Sequence, residues 1–233
     1  MPSKFTVAMV GMASELAAEP LWQSYAEYLE LRGNQVQGRA LQAAASFAEA
    51  ARHWPYEERK RFSLWLMDRA GRVNEQIGSV RNTSGIRGFV SPNVVVDTLL
   101  LPTLAEWCER EPDSPEPHFW AGLYSLLSFN PDRHPVTCLR EAIRLDPAHV
   151  PAREALARLI LDAINYNQHE LPSGYLCDTP EDDLASLREV EELLAEPLDP
   201  GIRGSLQDRI LIQRSAAENW IEHRRTRGSR VPE

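Results

Sequence analysis

Lysine is almost missing from this sequence. Of the 25 basic residues only Lys4 and Lys60 are lysine, and the other 23 are arginine. Acidic residues outnumber basic ones, giving a net charge of −9 and an isoelectric point near 5.3. That balance excludes a general nucleic-acid binder, which needs a basic surface against phosphate. Cysteine is scarce too. Cys108, Cys138 and Cys177 are odd in number and form no CxxC pair, which excludes a disulfide framework and points to a reducing, cytoplasmic compartment. No apolar run approaches the ~20 residues that span a bilayer. The apolar start, residues 5–13, has only Lys4 before it and no small-x-small cleavage pattern, so it reads as packing on the first helix rather than as a leader. The motifs of enzymes are missing as well. There is no HExxH, GxxxxGK[ST], GxGxxG or GxSxG, and neither a metal nor a cofactor is expected.

Period-two alternation is also lacking, and helical periodicity takes its place. Trp22, Tyr25, Ala26 and Leu29 share one face of a helix over 21–32, with Gly33 read as its C-cap. Ala40, Ala43, Ala44, Phe47, Ala50 and Ala51 mark a second helix, stopped by Pro55. Phe62, Trp65 and Leu66 mark a third, ended by Gly71. Residues 72–90 hold three glycines and read as an irregular loop. Ser91-Pro92 then caps a helix that Pro102 should kink or divide. Further helices are expected from Asp113 to Phe129, Pro135 to Leu145 and Pro151 to Tyr166. Asn167–Asp178 reads as a second loop. Thr179-Pro-Glu-Asp182 opens another helix with a cap, a first-position proline and an acidic first turn. A last helix runs from Ile202 to Arg225. The expectation is a single all-α domain of about nine helices. Its segments are 1–20, 21–71, the loop 72–91, 92–166, the loop 167–179, a helical pair over 180–226 and a basic tail over 227–233.

Small residues recur at fixed places in these helix pairs. Trp22-x-x-Tyr25-Ala26-x-x-Leu29-x-x-x-Gly33 resembles the first helix of a tetratricopeptide repeat, and Ala43-x-x-x-Phe47-x-x-Ala50-x-x-x-x-Pro55 its second. The connection between them looks about five residues longer than is usual in that family. Gly122 and Leu139-x-x-Ala142-x-x-x-x-Pro147 are similar to a second repeat, and Leu156-Ala157-x-x-Ile160 opens a third. The likeness covers 21–55 and 115–166, about half the chain. It implies an α-solenoid of antiparallel helix pairs, with a concave groove that binds a protein or peptide and does no catalysis. Carried over position by position, the groove residues are Gln23, Glu27 and Glu30, then Phe119, Leu123 and Leu126, then Glu154 and Arg158. The basic set that grips a partner's terminal carboxylate in some members is missing. A groove acidic at one end and apolar in the middle suits a basic, partly apolar ligand. Phe119, Leu123 and Leu126 read equally well as core. An uncapped solenoid end would also allow a homodimer.

Two rival readings remain open. Small size and negative charge suit an inhibitor or immunity-type protein that neutralises a basic toxin or enzyme. An enzyme would need a site built from the two loops, with Arg87, His169, Glu170 and Tyr175 converging. The six histidines are scattered and read as surface or capping residues. Cys108 and Cys138 read as small buried hydrophobes, and Cys177 as an exposed loop residue. Gly85-Ile-Arg-Gly88 recurs as Gly201-Ile-Arg-Gly204, read as turn chemistry with the second copy at a helix start. Between Asp178 and Pro200 stand nine acids and one arginine, and between Ile202 and Arg230 seven arginines and three acids. Two neighbouring helices of opposite sign should therefore match their charges within the chain, while the tail around Arg224, Arg225 and Arg227 could grip an acidic partner.

Overall fold

The computed structural model describes residues 4–16, 18–76, 92–125, 134–171 and 173–228. Among these all regular structure is helical, with no strand. The helices are α1 (Lys4–Leu16), α2 (Gln23–Gly33), α3 (Gln37–Ala51), α4 (Tyr56–Gln76), α5 (Asn93–Val95), α6 (Leu101–Arg110), α7 (Pro115–Ser125), α8 (Pro135–Leu145), α9 (Val150–Gln168), α10 (Pro180–Ala195) and α11 (Pro200–Gly228). A 3₁₀ turn, Pro20–Trp22, precedes α2, and a π turn, Val96–Leu100, joins α5 to α6. Counting α5, the π turn and α6 as one rod, the described residues form ten helical rods. The one beyond the expected nine is α1. The chain divides into two compact units, Met1–Pro135 and Val136–Glu233.

In the first unit the N-terminal apolar segment is a core helix. Met9, Met12, Ala13 and Leu16 fall on one face of α1 and are buried. That face lies against α2, and the contact explains Gly33. The glycine is the last residue of α2 rather than its left-handed cap. A Cβ there would stand 3.2 Å from the Met9 Cβ, so glycine serves close approach. Thr6 Oγ1 also donates to the Gly33 carbonyl at 3.2 Å. The left-handed position falls to Gln35, at φ 64°. Val36 N–H donates to the Leu31 carbonyl at 2.8 Å and Gln35 N–H to the Arg32 carbonyl at 3.1 Å, the paired bonds of a Schellman ending. The connection from α2 to α3 is thus only residues 34–36, and the extra length expected in the loop is taken up by helix.

The core of this unit is aromatic. The α3 face is Ala40, Ala44, Ala48 and Ala51 around Phe47, all buried, and small side chains let α2 and α5 come close. Phe47 lies 4.9 Å from Tyr25 and 4.7 Å from Phe62, centroid to centroid. Tyr25 and Trp22 meet Phe62 edge-on at 5.1 and 5.2 Å. Beyond Phe62, α4 runs through Gly71 and absorbs residues 72–76 of the expected loop. Residues 77–91 lie outside the described residues, with Ser91, Arg87 and the first Gly-Ile-Arg-Gly copy.

Pro102 leaves its segment one continuous rod but changes the winding just before it. Pro92 stands just outside α5 as its N-cap. The π turn sits immediately before Pro102. A regular α-turn would drive the ring into the carbonyl of Thr98, four residues back, and a wider turn relieves that collision. Thr103 Oγ1 donates to the Leu99 carbonyl at 2.6 Å.

In the second unit α9, α10 and α11 form an up-down-up bundle. Glu181, early in α10, pairs with Arg224, late in α11, at 2.9 Å, and Glu191 pairs with Arg214 at 2.8 Å. Those two helices therefore run antiparallel and match their charges within the chain. Arg209 reaches Asp162 on α9 at 2.6 Å, and Arg140 on α8 reaches Glu189 at 2.7 Å. Exposed pairs of this kind contribute only about 0–1 kcal/mol each, so they set register more than stability. The caps are local. Thr179 and Asp182 complete a capping box on α10. Asp199 Oδ1 accepts from the N–H groups of Gly201 and Ile202 at the start of α11, so the second Gly-Ile-Arg-Gly copy is a helix start. His149 caps α9 by accepting from Ala152 N–H.

Two stability predictions follow. Phe62→Ala removes a fully buried ring that touches five others and costs about 3–5 kcal/mol in chemical denaturation. Gln35→Gly relieves the left-handed strain and stabilises by about 0.5–1 kcal/mol in the same assay.

Candidate functional site

On α2 the residues Gln23, Glu27 and Glu30 stand at i, i+4 and i+7 and are all exposed. They form one stripe, because Tyr25, Ala26, Tyr28 and Leu29 turn the opposite face into the core. Acids elsewhere in this unit are mostly engaged. Glu106 binds Arg59 and Arg110 at 2.5 and 2.8 Å, Glu111 binds Lys60 at 2.5 Å, and Glu19 and Glu58 bind Arg61 at 3.0 and 2.7 Å. Glu27 and Glu30 make no ion pair or side-chain hydrogen bond among the described residues. Their base is stiff. Trp22 Nε1 donates to Glu58 at 2.9 Å, and the Arg61 guanidinium lies 4.5 Å over the Trp22 ring. A similar stack lies on the same first turns of α4, where Lys60 lies 4.3 Å over Trp107 and Arg110 4.1 Å over Tyr56.

The remaining expected groove residues sit differently. Phe119 is 8% exposed, with its ring 5.0 Å from Trp120. Leu123 is half-buried and packs on the aromatic core. Leu126 lies outside the described residues. Glu154 and Arg158 belong to the second unit and pair with each other on α9 at 3.0 Å, with Glu154 itself buried. The eight residues expected to line the groove are thus divided between two units. The structure brings Gln23, Glu27 and Glu30 together, and separately Glu154 and Arg158.

The second loop supplies a polar seam that the sequence did not reveal. Asp183, on the first turn of α10, is 2% exposed. Asn167 Nδ2 donates to Asp183 Oδ1 at 3.2 Å and to Asp178 Oδ2 at 3.0 Å. Gln168 Nε2 approaches Asp183 Oδ2 at 2.9 Å, the Gln213 carbonyl at 3.1 Å and the Tyr175 hydroxyl at 3.3 Å. Gln213 Nε2 reaches the Leu161 carbonyl at 2.8 Å. Burial pushes the Asp183 carboxyl above the ordinary aspartate range. Donation from Asn167, Gln168 and Tyr175 opposes this, and the charge of Asp178 adds to it. Burial, and then the charge of Asp183, pushes the Tyr175 hydroxyl up to about 12. The seam ties the end of α9, the loop and α11 to one carboxylate. Of the residues an enzyme would need, Tyr175 belongs to this seam, whereas His169 pairs with Glu170 at 3.1 Å in the open. Among the described residues no group of three or more His, Cys, Asp or Glu side chains could hold a metal ion, and no helix is long and apolar enough to cross a membrane. Cys138 is buried, Cys108 half-buried and Cys177 exposed. Sequence reasoning missed the seam because Asn167, Gln168 and Gln213 belong to no motif; the only signal was polar residues at core-facing helical positions.

No known protein family, curated protein or solved structure matches this chain.

The seam has a pH signature. A carboxyl whose pKa is raised on folding favours the folded state most when protonated. Its contribution is therefore present below the unfolded value of 3.8 and is lost as pH rises through the raised folded value. The melting temperature of wild type minus that of Asp183→Asn falls over this window, measured across a pH series. Asp183→Ala leaves the Asn167 and Gln168 amides without an acceptor and costs about 1–3 kcal/mol near neutral pH by denaturant titration.

Proposed function

We propose that this chain is a non-catalytic protein-interaction module of the tetratricopeptide-repeat kind, presenting the α2 stripe to a basic segment of a protein partner. The observation that carries the reading is the stripe itself: Gln23, Glu27 and Glu30 exposed together, with both carboxylates unengaged in a unit whose other acids mostly hold arginine or lysine. Carboxylates fixed on a packed helix attract a cationic segment without first losing an internal ion pair. The aromatic core beneath holds their spacing, so little order has to be gained on binding. The net charge of −9 favours encounter with a basic protein over an acidic one. An adaptor role in the cytoplasm fits the scarcity of cysteine.

The test is capture from a lysate of the source organism, with mass-spectrometric identification, comparing wild type with Glu27→Arg/Glu30→Arg. The expected outcome is a defined protein, rich in lysine and arginine, held by wild type and weakened at least about 10-fold by the double reversal, with a salt-dependent association rate. Equal capture by both baits removes the stripe from the site. If the captured protein is an enzyme or toxin silenced by binding, the adaptor reading gives way to the inhibitor reading.

A further inference from the structure

The second unit treats its arginines in an inverted order. Arg140, Arg209, Arg214 and Arg224 lie toward solvent, and each finds a carboxylate within 2.6–2.9 Å. Arg153, on the first turn of α9, is 3% exposed and finds none among the described residues. Among the described residues its hydrogen bond runs from Nη2 to the Pro197 carbonyl at 2.8 Å. Its Nε and Nη1 are enclosed and have no partner. A guanidinium stays charged at any physiological pH, so this is a full buried charge set against one neutral carbonyl. Enclosed charges of this kind normally meet a counter-charge.

Arg203 repeats the pattern one residue along the same link. Its Nη2 donates to the Glu196 carbonyl at 2.8 Å, and its Nε is likewise enclosed without an acceptor. Two arginines therefore converge on the four residues between α10 and α11, beside the N-terminus of a 29-residue helix. Of the acids close by in sequence, Glu154 pairs with Arg158 at 3.0 Å, and Asp199 accepts from the Gly201 and Ile202 N–H groups.

We propose that Arg153 and Arg203 form a receptor for the carboxylate of a small molecule, covered in the unliganded chain by the link 196–199. Charge and shape select this ligand. A single negative charge neutralises Arg153, and a planar carboxylate accepts two parallel N–H bonds from one edge of a guanidinium. The cover is light. Glu196, Pro197 and Asp199 are exposed, and the two arginine–carbonyl bonds are what hold the link down on this side. Entry exchanges the Pro197 carbonyl for a charged oxygen. This site is independent of the α2 stripe, which lies in the other unit.

The experiment is thermal unfolding of the full chain in ~100 mM sodium acetate, sodium phosphate or sodium chloride at matched ionic strength, followed by circular dichroism. Acetate should raise the wild-type melting temperature by about 2 °C or more over chloride, the shift expected of a millimolar site. Arg153→Met, an apolar side chain of similar reach, should melt at or above wild type in chloride and lose the acetate shift. Arg153→Lys keeps the charge without the fork and should lose most of the shift; it serves as the readout if the methionine variant does not fold. Identical wild-type melting in acetate and chloride overturns the proposal. So does an acetate shift that survives in either variant, and so does a shift given by phosphate alone.

Discussion

Phe62 is in ring contact with five other aromatic side chains, Trp22, Tyr25, Phe47, Trp54 and Trp65. They come from α2, the turn before it, α3, the turn after it and α4 itself. Each contact adds a modest increment beyond area burial, about 0.5–1.5 kcal/mol. Their joint effect is geometric. Edge-on and tilted rings fix the angle as well as the distance of the elements that carry them, so one side chain sets how α2, α3 and α4 lie. The alanine face of α3 is the complement: it gives the rings room by bringing no bulk of its own. The position of Glu27 and Glu30 follows, because an exposed stripe is only as definite as the buried face behind it.

The second unit reaches order by other means. Its bundle contains apolar layers, Leu156, Ile160, Leu187, Val190, Leu206 and Ile210 among them, all buried. The end nearest the 169–179 loop is held by a polar seam centred on Asp183. Apolar contact tolerates sliding, whereas a carboxylate shared by two amides does not, since displacement leaves buried donors unpaired. A three-helix bundle gains register from this at some expense in stability. The raised pKa of Asp183 is the sign of that expense.

Much of the fold was legible from local chemistry. The capping box at Thr179 was readable because its donors and acceptors lie within four residues. The charge match between α10 and α11 was readable because it is a property of whole segments, although the partners Arg214–Glu191 and Arg224–Glu181 needed the register. Features that depend on distant residues were not readable. Gly33 resembles a C-cap until α1 is laid across it, and Gly71 resembles a stop until its neighbours carry the helix through. Of the expected groove residues, Gln23, Glu27 and Glu30 came from the repeat resemblance, and their exposure agrees with the apolar face of Trp22, Tyr25, Ala26 and Leu29 that periodicity marks. The burial of Phe119 and Glu154 is set by neighbours that periodicity does not name. Arg153 looked like any first-turn arginine, and only the tertiary environment shows it enclosed.

The near absence of lysine carries a consequence for anyone mapping this protein's neighbours. Only two side-chain amines exist, and Lys60 is committed: its ammonium is paired with Glu111 at 2.5 Å and laid over the Trp107 ring. Reagents that couple through amines therefore have little beyond Lys4 to react with, and a sparse cross-link map would reflect that chemistry rather than isolation. Carboxyl-directed coupling suits this surface far better, and the thiol of Cys177 offers a separate handle for attaching a probe.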